Sequence, residues 1–306
     1  MKIGVIGTFI NDHIILATGE ELKSFGGIFY TISMLANLLS NEDEIYPVCY
    51  LGADIYEPII ARLNAYKNIR LAGICKIDQP NTAVDLRYRN AEQRDEILTH
   101  RLPPLTHDLL GKIEGMDVWL LNFITGFEMN LETCQRFCRQ QTAMIYMDFH
   151  SLSLGIDDRG RRYHRYRSDW QEWVGNVDIL QMNEAEAATL HNQTELTLAE
   201  LTQLGQAIVA QQIPILHITR GSKGSLLVYR DDANILIREI PAAKVEPVID
   251  VTGCGDAFAA GFLVHYWHSR DLIAAAEFAN HVAAMNCTIR GTEELWKLKR
   301  LVTTTK

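Results

Sequence analysis

Short β-rich runs alternate with helical patterns along most of the 306 residues. Strand-like runs fall at 2–6, 45–51, 118–122, 144–148, 179–182 and 215–219. Helical patterns fall between them at 27–39, 55–66, 131–141, 184–190 and 198–211. Parallel strands need long crossovers, and helices supply them. The alternation therefore predicts an α/β fold, a mostly parallel sheet with helices on both faces. Ligands of such sheets gather at the carboxyl ends of the strands. The polar motifs of this chain sit at those ends.

The net charge of −9 argues against a nucleic-acid platform. It leaves room for a nucleotide, because phosphate sites are local. No apolar run is long enough to span a bilayer. The stretch Met1 to Gly7 reads as a first strand, not a signal peptide. Six cysteines are scattered without a CxxC pair; Cys134 and Cys138 share a helix face but lack histidines spaced to complete a zinc site. Reduced thiols and a cytoplasmic location are the expectation.

Two pieces break the rhythm. The β-like runs within 71–101, and an early piece at 12–18, suggest a small antiparallel sheet outside the main one. Such a flap would cover a site and exclude water; a surface meander is the plainer reading. The whole of 1–306 is read as one domain with lid segments near 11–25 and 71–102. A hairpin is expected from 225–229 and 235–240, and the basic run 159–167 as a solvated loop or helix face.

The stretch Asp250-Val251-Thr252-Gly253-Cys254-Gly255-Asp256-Ala257-Phe258 carries the most chemistry. Two glycines around one small residue open an apolar helix, so main-chain N–H groups and the helix dipole can gather on an anion. Asp256 beside such a nest is placed to handle a proton, or simply to cap the helix. Asn183-Glu184-Ala185-Glu186 follows a strand. It suits a magnesium ion held through water, and equally an N-cap; the two roles can coexist. In Thr219-Arg220-Gly221-Ser222-Lys223-Gly224, the glycines allow a nucleotide to approach and Lys223 could meet phosphate; a plain turn is the alternative. Ser24-Phe25-Gly26-Gly27 precedes a helix, where a glycine pair can approach a sugar. Gly4 and Gly7 are no dinucleotide fingerprint, since the third glycine is missing. Asp148 ends a strand as a further site candidate, and the histidines look unorganised.

Together these residues resemble the ribokinase-like, or PfkB, family of carbohydrate kinases. The signature that reads roughly D-T-x-G-x-G-D-x-F stands here as Asp250-Val251-Thr252-Gly253-Cys254-Gly255-Asp256-Ala257-Phe258, the NxxE element is matched by Asn183 and Glu186, and the T-x-G-x-x-G loop by Thr219, Gly221 and Gly224. The late helix 278–290, ending in Gly291, is similar to the segment that walls the adenine, which adds Asn280 to the nucleotide residues. The resemblance implies a three-layer α/β/α fold with a small β lid. It implies transfer of the ATP γ-phosphate to a hydroxyl of a sugar. Asp256 would be the general base, and Gly253, Cys254 and Gly255 the charge-stabilising nest. Asn183, Thr219, Gly221, Lys223, Gly224, Gly255 and Asn280 would hold the nucleotide, and Asn183 with Glu186 would organise Mg2+. Asp250, Thr252 and Gly291 would hold a monovalent cation such as K+. Asp12, Gly26, Gly27, Thr31, Asp148 and Asp256 would meet the acceptor.

The acceptor side departs from the family pattern. Thr31 stands where many members carry asparagine, and Asp148-Phe149-His150-Ser151 replaces the usual D-P-N-x-R element. The aromatics Phe29, Tyr30 and Phe149 could stack on a base, so a nucleoside is the alternative acceptor. A degenerate kinase fold acting as a nucleotide or sugar sensor is a second alternative. Nucleic-acid and membrane partners are not expected, and the family pattern implies a homodimer formed through the β lid.

Overall fold

The computed structural model describes residues 1–88, 94–211, 213–292 and 294–303. Among them fifteen strands run in chain order: β1 (Lys2–Ile6), β2 (Phe9–Ile15), β3 (Glu21–Gly27), β4 (Glu44–Gly52), β5 (Ile74–Ile77), β6 (Ala83–Tyr88), β7 (Arg94–His100), β8 (Val118–Asn122), β9 (Met144–Asp148), β10 (Leu154–Ile156), β11 (Arg162–His164), β12 (Ile179–Asn183), β13 (Ile215–Thr219), β14 (Ser225–Asp231) and β15 (Asn234–Ile240). Nine form one sheet in the order β15-β14-β13-β12-β9-β8-β1-β4-β5. The seven from β13 to β5 are parallel, and the hairpin β14–β15 adds two antiparallel strands at one edge.

Helices cover both faces, which explains the near-continuous apolar strands. Val118 to Asn122 is wholly buried. Within it Val118 and Leu120 pack with the layer that holds the helices Ile28–Leu38, Cys254–Ser269 and Leu272–Asn286. Trp119 and Leu121 pack with the layer that holds Leu131–Gln140 and Leu198–Gln211. The fold is a three-layer α/β/α sandwich, as the alternation of runs requires. Among the described residues no helix is long and apolar enough to cross a membrane.

The small sheet runs β3-β2-β6-β7. It is mixed rather than antiparallel, because β2 pairs with β6 in parallel. The early piece read at 12–18 is shifted to Phe9–Ile15, and a second strand, Glu21–Gly27, returns beside it. Of the segment 71–102, Ile74–Ile77 joins the edge of the central sheet and only β6 and β7 enter the lid; residues 89–93 lie outside the described residues. Asn81 ties the two sheets together, since its side chain accepts from Gly52 N–H at 3.0 Å and donates to the Phe9 carbonyl at 2.7 Å.

Gly4 has a packing role, consistent with its failure to form a fingerprint. It pairs with Trp119 across β1 and β8, and a Cβ there would lie 2.2 Å from the indole. Trp119 is 1% exposed and donates Nε1–H to Gln141 at 2.9 Å, so the ring cannot move aside. Gly4→Ala is expected to lower the unfolding free energy by about 1–3 kcal/mol through overpacking. Urea unfolding measures it, and an unchanged midpoint would show that the indole yields freely.

Candidate active site

Parallel strands deliver their ends to one side of the sheet, and this brings the polar residues together. Asn122 ends β8, Asp148 ends β9, Asn183 ends β12 and Thr219 ends β13. The helix Cys254–Ser269 begins there too. Gly253 caps it in the left-handed region at φ 75°, and a Cβ would strike the Tyr30 ring at 2.7 Å. Both facts require glycine. The first intrahelical bond runs from Ala257 N–H to the Gly253 carbonyl at 2.8 Å, so the amides before it have no partner within the helix. The Cys254 amide nevertheless closes a turn onto the Val251 carbonyl at 3.3 Å. Of the expected nest, the amides of Gly255 and Asp256 are the better placed to meet an anion. At Gly255 a Cβ would meet only Gln181 Nε2, at 3.7 Å, so open space lies beside the helix start. Gln181 braces that start by donating to the Gly255 carbonyl at 3.1 Å and is itself held by the Tyr146 hydroxyl at 2.5 Å.

Asp256 is 9% exposed, and two donors from other elements converge on its Oδ1. One is the Thr31 hydroxyl, from the helix Ile28–Leu38. The other is Asn122 Nδ2, at 2.8 Å, which also donates to Thr31 Oγ1 at 2.9 Å. Thr31 thus reaches the carboxylate across 225 positions of sequence. Asn122 was absent from the sequence reading; its one signal is a polar residue ending an otherwise apolar, fully buried strand. Burial pushes Asp256 up to about 6, against the Thr31 and Asn122 bonds that favour its charged form.

Two more buried carboxylates stand near. Burial pushes Glu186 up to about 7. Asp148 is held well above the usual range by burial first, then by Glu186 and Asp256. Asp148 therefore feels both neighbours. The main-chain N–H of His150, in the left-handed region at φ 37°, favours the charged form of both Asp148 and Glu186. Asn183 and Glu186 form a complete capping box: Asn183 Oδ1 accepts from Glu186 N–H and Glu186 Oε2 from Asn183 N–H, each at 2.9 Å. A cavity of about 720 Å³ opens beside them, lined by Glu96, His150, Ser153, Arg162, Asn183 and Glu186 among others. Asp256 does not line it.

The remaining candidates fall as follows. Asp12 on β2 lies over Gly26, where a Cβ would meet its carboxylate at 2.1 Å. Gly27, at φ 62°, is the N-cap of the helix carrying Thr31. In the Thr219–Gly224 loop, Lys223 and Arg220 both bond Glu184, and Gly221 faces open space. Asn280 is buried, with its amide nitrogen shared between the Ile240 and Pro241 carbonyls at 3.1 Å, so that donor serves to hold the helix to β15. Thr252 N–H donates to Asp250 Oδ1 at 2.9 Å, and Gly291 is left-handed at φ 59°. The aromatics expected to stack on a base are core residues: Phe149 is 0% exposed, Phe29 3% and Tyr30 8%. No base can lie on them. Cys254 Sγ sits 3.1 Å from Cys287 Sγ, and the pair shares a proton. The Cys254 hydrogen bond brings Cys287 down to about 7, while the same contact and burial push Cys254 up.

Residues 130–298, more than half of the chain, match the family model described as pfkB family carbohydrate kinase. The chain is 33% identical over 137 residues to a nucleoside kinase of Methanothermobacter thermautotrophicus, covering 44% of this chain and 40% of that one. It is 30% identical over 191 residues to the ribokinase of Bacillus subtilis, covering 62% and 55%. The chain thus spans about half the length of these relatives. The crystal structure of ribokinase from Thermotoga maritima superposes with a TM-score of 0.76 at 19% identity, over 99% of both chains, a likeness of fold.

Asp256 binds more protons folded than unfolded between its ordinary value of 3.8 and about 6. Its contribution to stability therefore falls as pH rises through that window. Among the described residues no cation pairs with it. Asp256→Asn is expected to gain stability relative to the wild type from pH 4 to pH 6, by on the order of 2 kcal/mol. Thermal or urea unfolding across that range measures it, and a constant difference would mean that Asp256 is not charged against its surroundings. Separately, Cys287 is expected to be alkylated by iodoacetamide faster than Cys254 at neutral pH; peptide mass mapping over time tests this, and the reverse order would contradict the proton sharing.

Proposed function

The chain belongs to the pfkB family of carbohydrate kinases, and we propose that it transfers the γ-phosphate of ATP to a hydroxyl of a sugar or nucleoside with Asp256 as general base. One observation carries this: a buried carboxylate with raised proton affinity, held by Thr31 and Asn122 at the first turn of a helix whose leading amides point away from any intrahelical partner. An acceptor hydroxyl needs a base near its own operating pH. The same transfer needs donors on the phosphoryl group as charge redistributes. Gly255 and Asp256 amides, with the helix dipole behind them, meet that need.

The Thr219–Gly224 loop would take the nucleotide, with Gly221 open to it. Among the described residues no group of three or more His, Cys, Asp or Glu side chains forms a ready cage for a metal. The donor set therefore fits magnesium held partly by water and by the phosphates, with Glu186, Asn183 and Asp148 as the protein's share. There the ion would offset charge on the phosphate oxygens. Asp12 beside Gly26 would orient the acceptor's hydroxyls. A nucleoside is favoured as acceptor over a free sugar only by the nucleoside kinases among the relatives, at 33% and 42% identity over 137 and 121 residues; the buried aromatics do not add to it.

The test is turnover with ATP and magnesium over a panel of pentoses, hexoses and nucleosides, read as ADP release. Asp256→Asn is expected to lose at least about a hundredfold in kcat while still binding ATP. The wild-type kcat/KM is expected to rise with pH through about 6, as Asp256 loses its proton. Near-normal kcat in Asp256→Asn, or a flat acid limb, would remove it from the base role. ATP binding without turnover over the whole panel would favour a sensor.

A further inference from the structure

The basic run 159–167 is largely exposed, as its composition leads one to expect, but it is not a plain loop: Arg162–His164 form β11, which pairs with β10 in an antiparallel hairpin that docks on the small sheet. Leu98 N–H of β7 donates to the Gly160 carbonyl at 2.8 Å, and Ile97 bridges to Arg161. Arg161 and Arg162 both line the 720 Å³ cavity shared with Asn183, Glu186 and His150. Arg161 is exposed and bonds Asp157 at 3.0 Å, whereas Arg162 is partly buried.

Its Nε and Nη2 are buried and, among the described residues, have no hydrogen-bond partner. Leaving buried donors of a charged group unmade is costly. Burial works against its charge, and the nearest favourable charges, Glu96 and Glu128, act on it without forming an ion pair. A guanidinium presents its donors in a planar fork that matches two oxygens of a phosphate. The wall also carries Asp95, Glu96, Asp157 and Glu186, and Arg161 is tied to Asp157, so Arg162 is the arginine of that wall whose buried donors are left for an oxyanion.

We propose that Arg162 contacts the phosphoryl group being transferred, reaching it from the β10–β11 hairpin across the cavity from Asn183 and Glu186. The assignment rests on the kinase reading above and adds to it the residue that stabilises charge on the phosphoryl oxygens. An arginine in that place is typically worth about 10³-fold or more in kcat. It also makes the hairpin, which no part of the signature motifs includes, a working part of the site.

The test compares Arg162→Gln and Arg162→Lys with Arg159→Gln, an exposed position that makes the same charge change. Equilibrium binding of inorganic pyrophosphate and of Mg–ATP is measured by calorimetry, which needs no acceptor and no turnover. Arg162→Gln is expected to weaken both by at least about tenfold, the scale of one charge-assisted bond. Arg162→Lys is expected to restore part of it, and Arg159→Gln to bind as wild type. In turnover, kcat should fall far more than KM for the acceptor changes. Pyrophosphate and Mg–ATP binding by Arg162→Gln equal to that of Arg159→Gln would overturn the proposal, as would a rise confined to KM for an acceptor that itself carries an anionic group. Failure of the kinase reading shows differently: no acceptor turns over, whereas the calorimetric comparison still decides Arg162.

Discussion

Three carboxylates, Asp148, Glu186 and Asp256, are buried together, the last two raise the proton affinity of Asp148, and among the described residues no cation pairs with any of them. Like charges out of water repel, and clusters of this kind concentrate at functional sites. The parallel sheet creates the cluster. It brings strand ends to one side, so β9 supplies Asp148 and β12 leads into the helix of Glu186. The helix start at Gly253 supplies Asp256. Stability is given up locally, and the rest of the sandwich, two apolar layers around a continuous sheet, makes the loss tolerable.

What steadies the cluster is a ring of neutral donors. Thr31 and Asn122 hold Asp256, and Gln181 with Tyr146 holds the helix start. These groups carry no charge of their own, so they orient the carboxylate without lowering its proton affinity to that of a salt-bridged acid. A lysine or arginine in place of Asn122 would bring the carboxylate's proton affinity down.

The layered architecture was legible because a two-residue period and a 3.6-residue period leave different marks, and the strands at 118–122, 144–148 and 215–219 end where expected. Gly253 was legible because backbone geometry demands it. Other parts depended on contacts that no local pattern encodes. Asn122 meets Asp256 across 134 positions of sequence. Glu21–Gly27 was hidden as a strand because its glycine pair reads locally as the approach to a helix, and its partner β2 supplies the pairing that holds it. Phe29 and Phe149 looked like free aromatics, yet the sheet's two faces enclose them. Arg162 looked solvated because composition cannot tell which of two adjacent arginines has its donors buried without a partner.

Strand β3 of the lid runs into the helix Ile28–Leu38 with Gly27 as the sole joint, and that helix carries Thr31. The outer sheet and the hydroxyl on Asp256 are therefore joined along the chain through a single residue. A rotation of one against the other would fall on that joint, whose left-handed backbone glycine adopts freely.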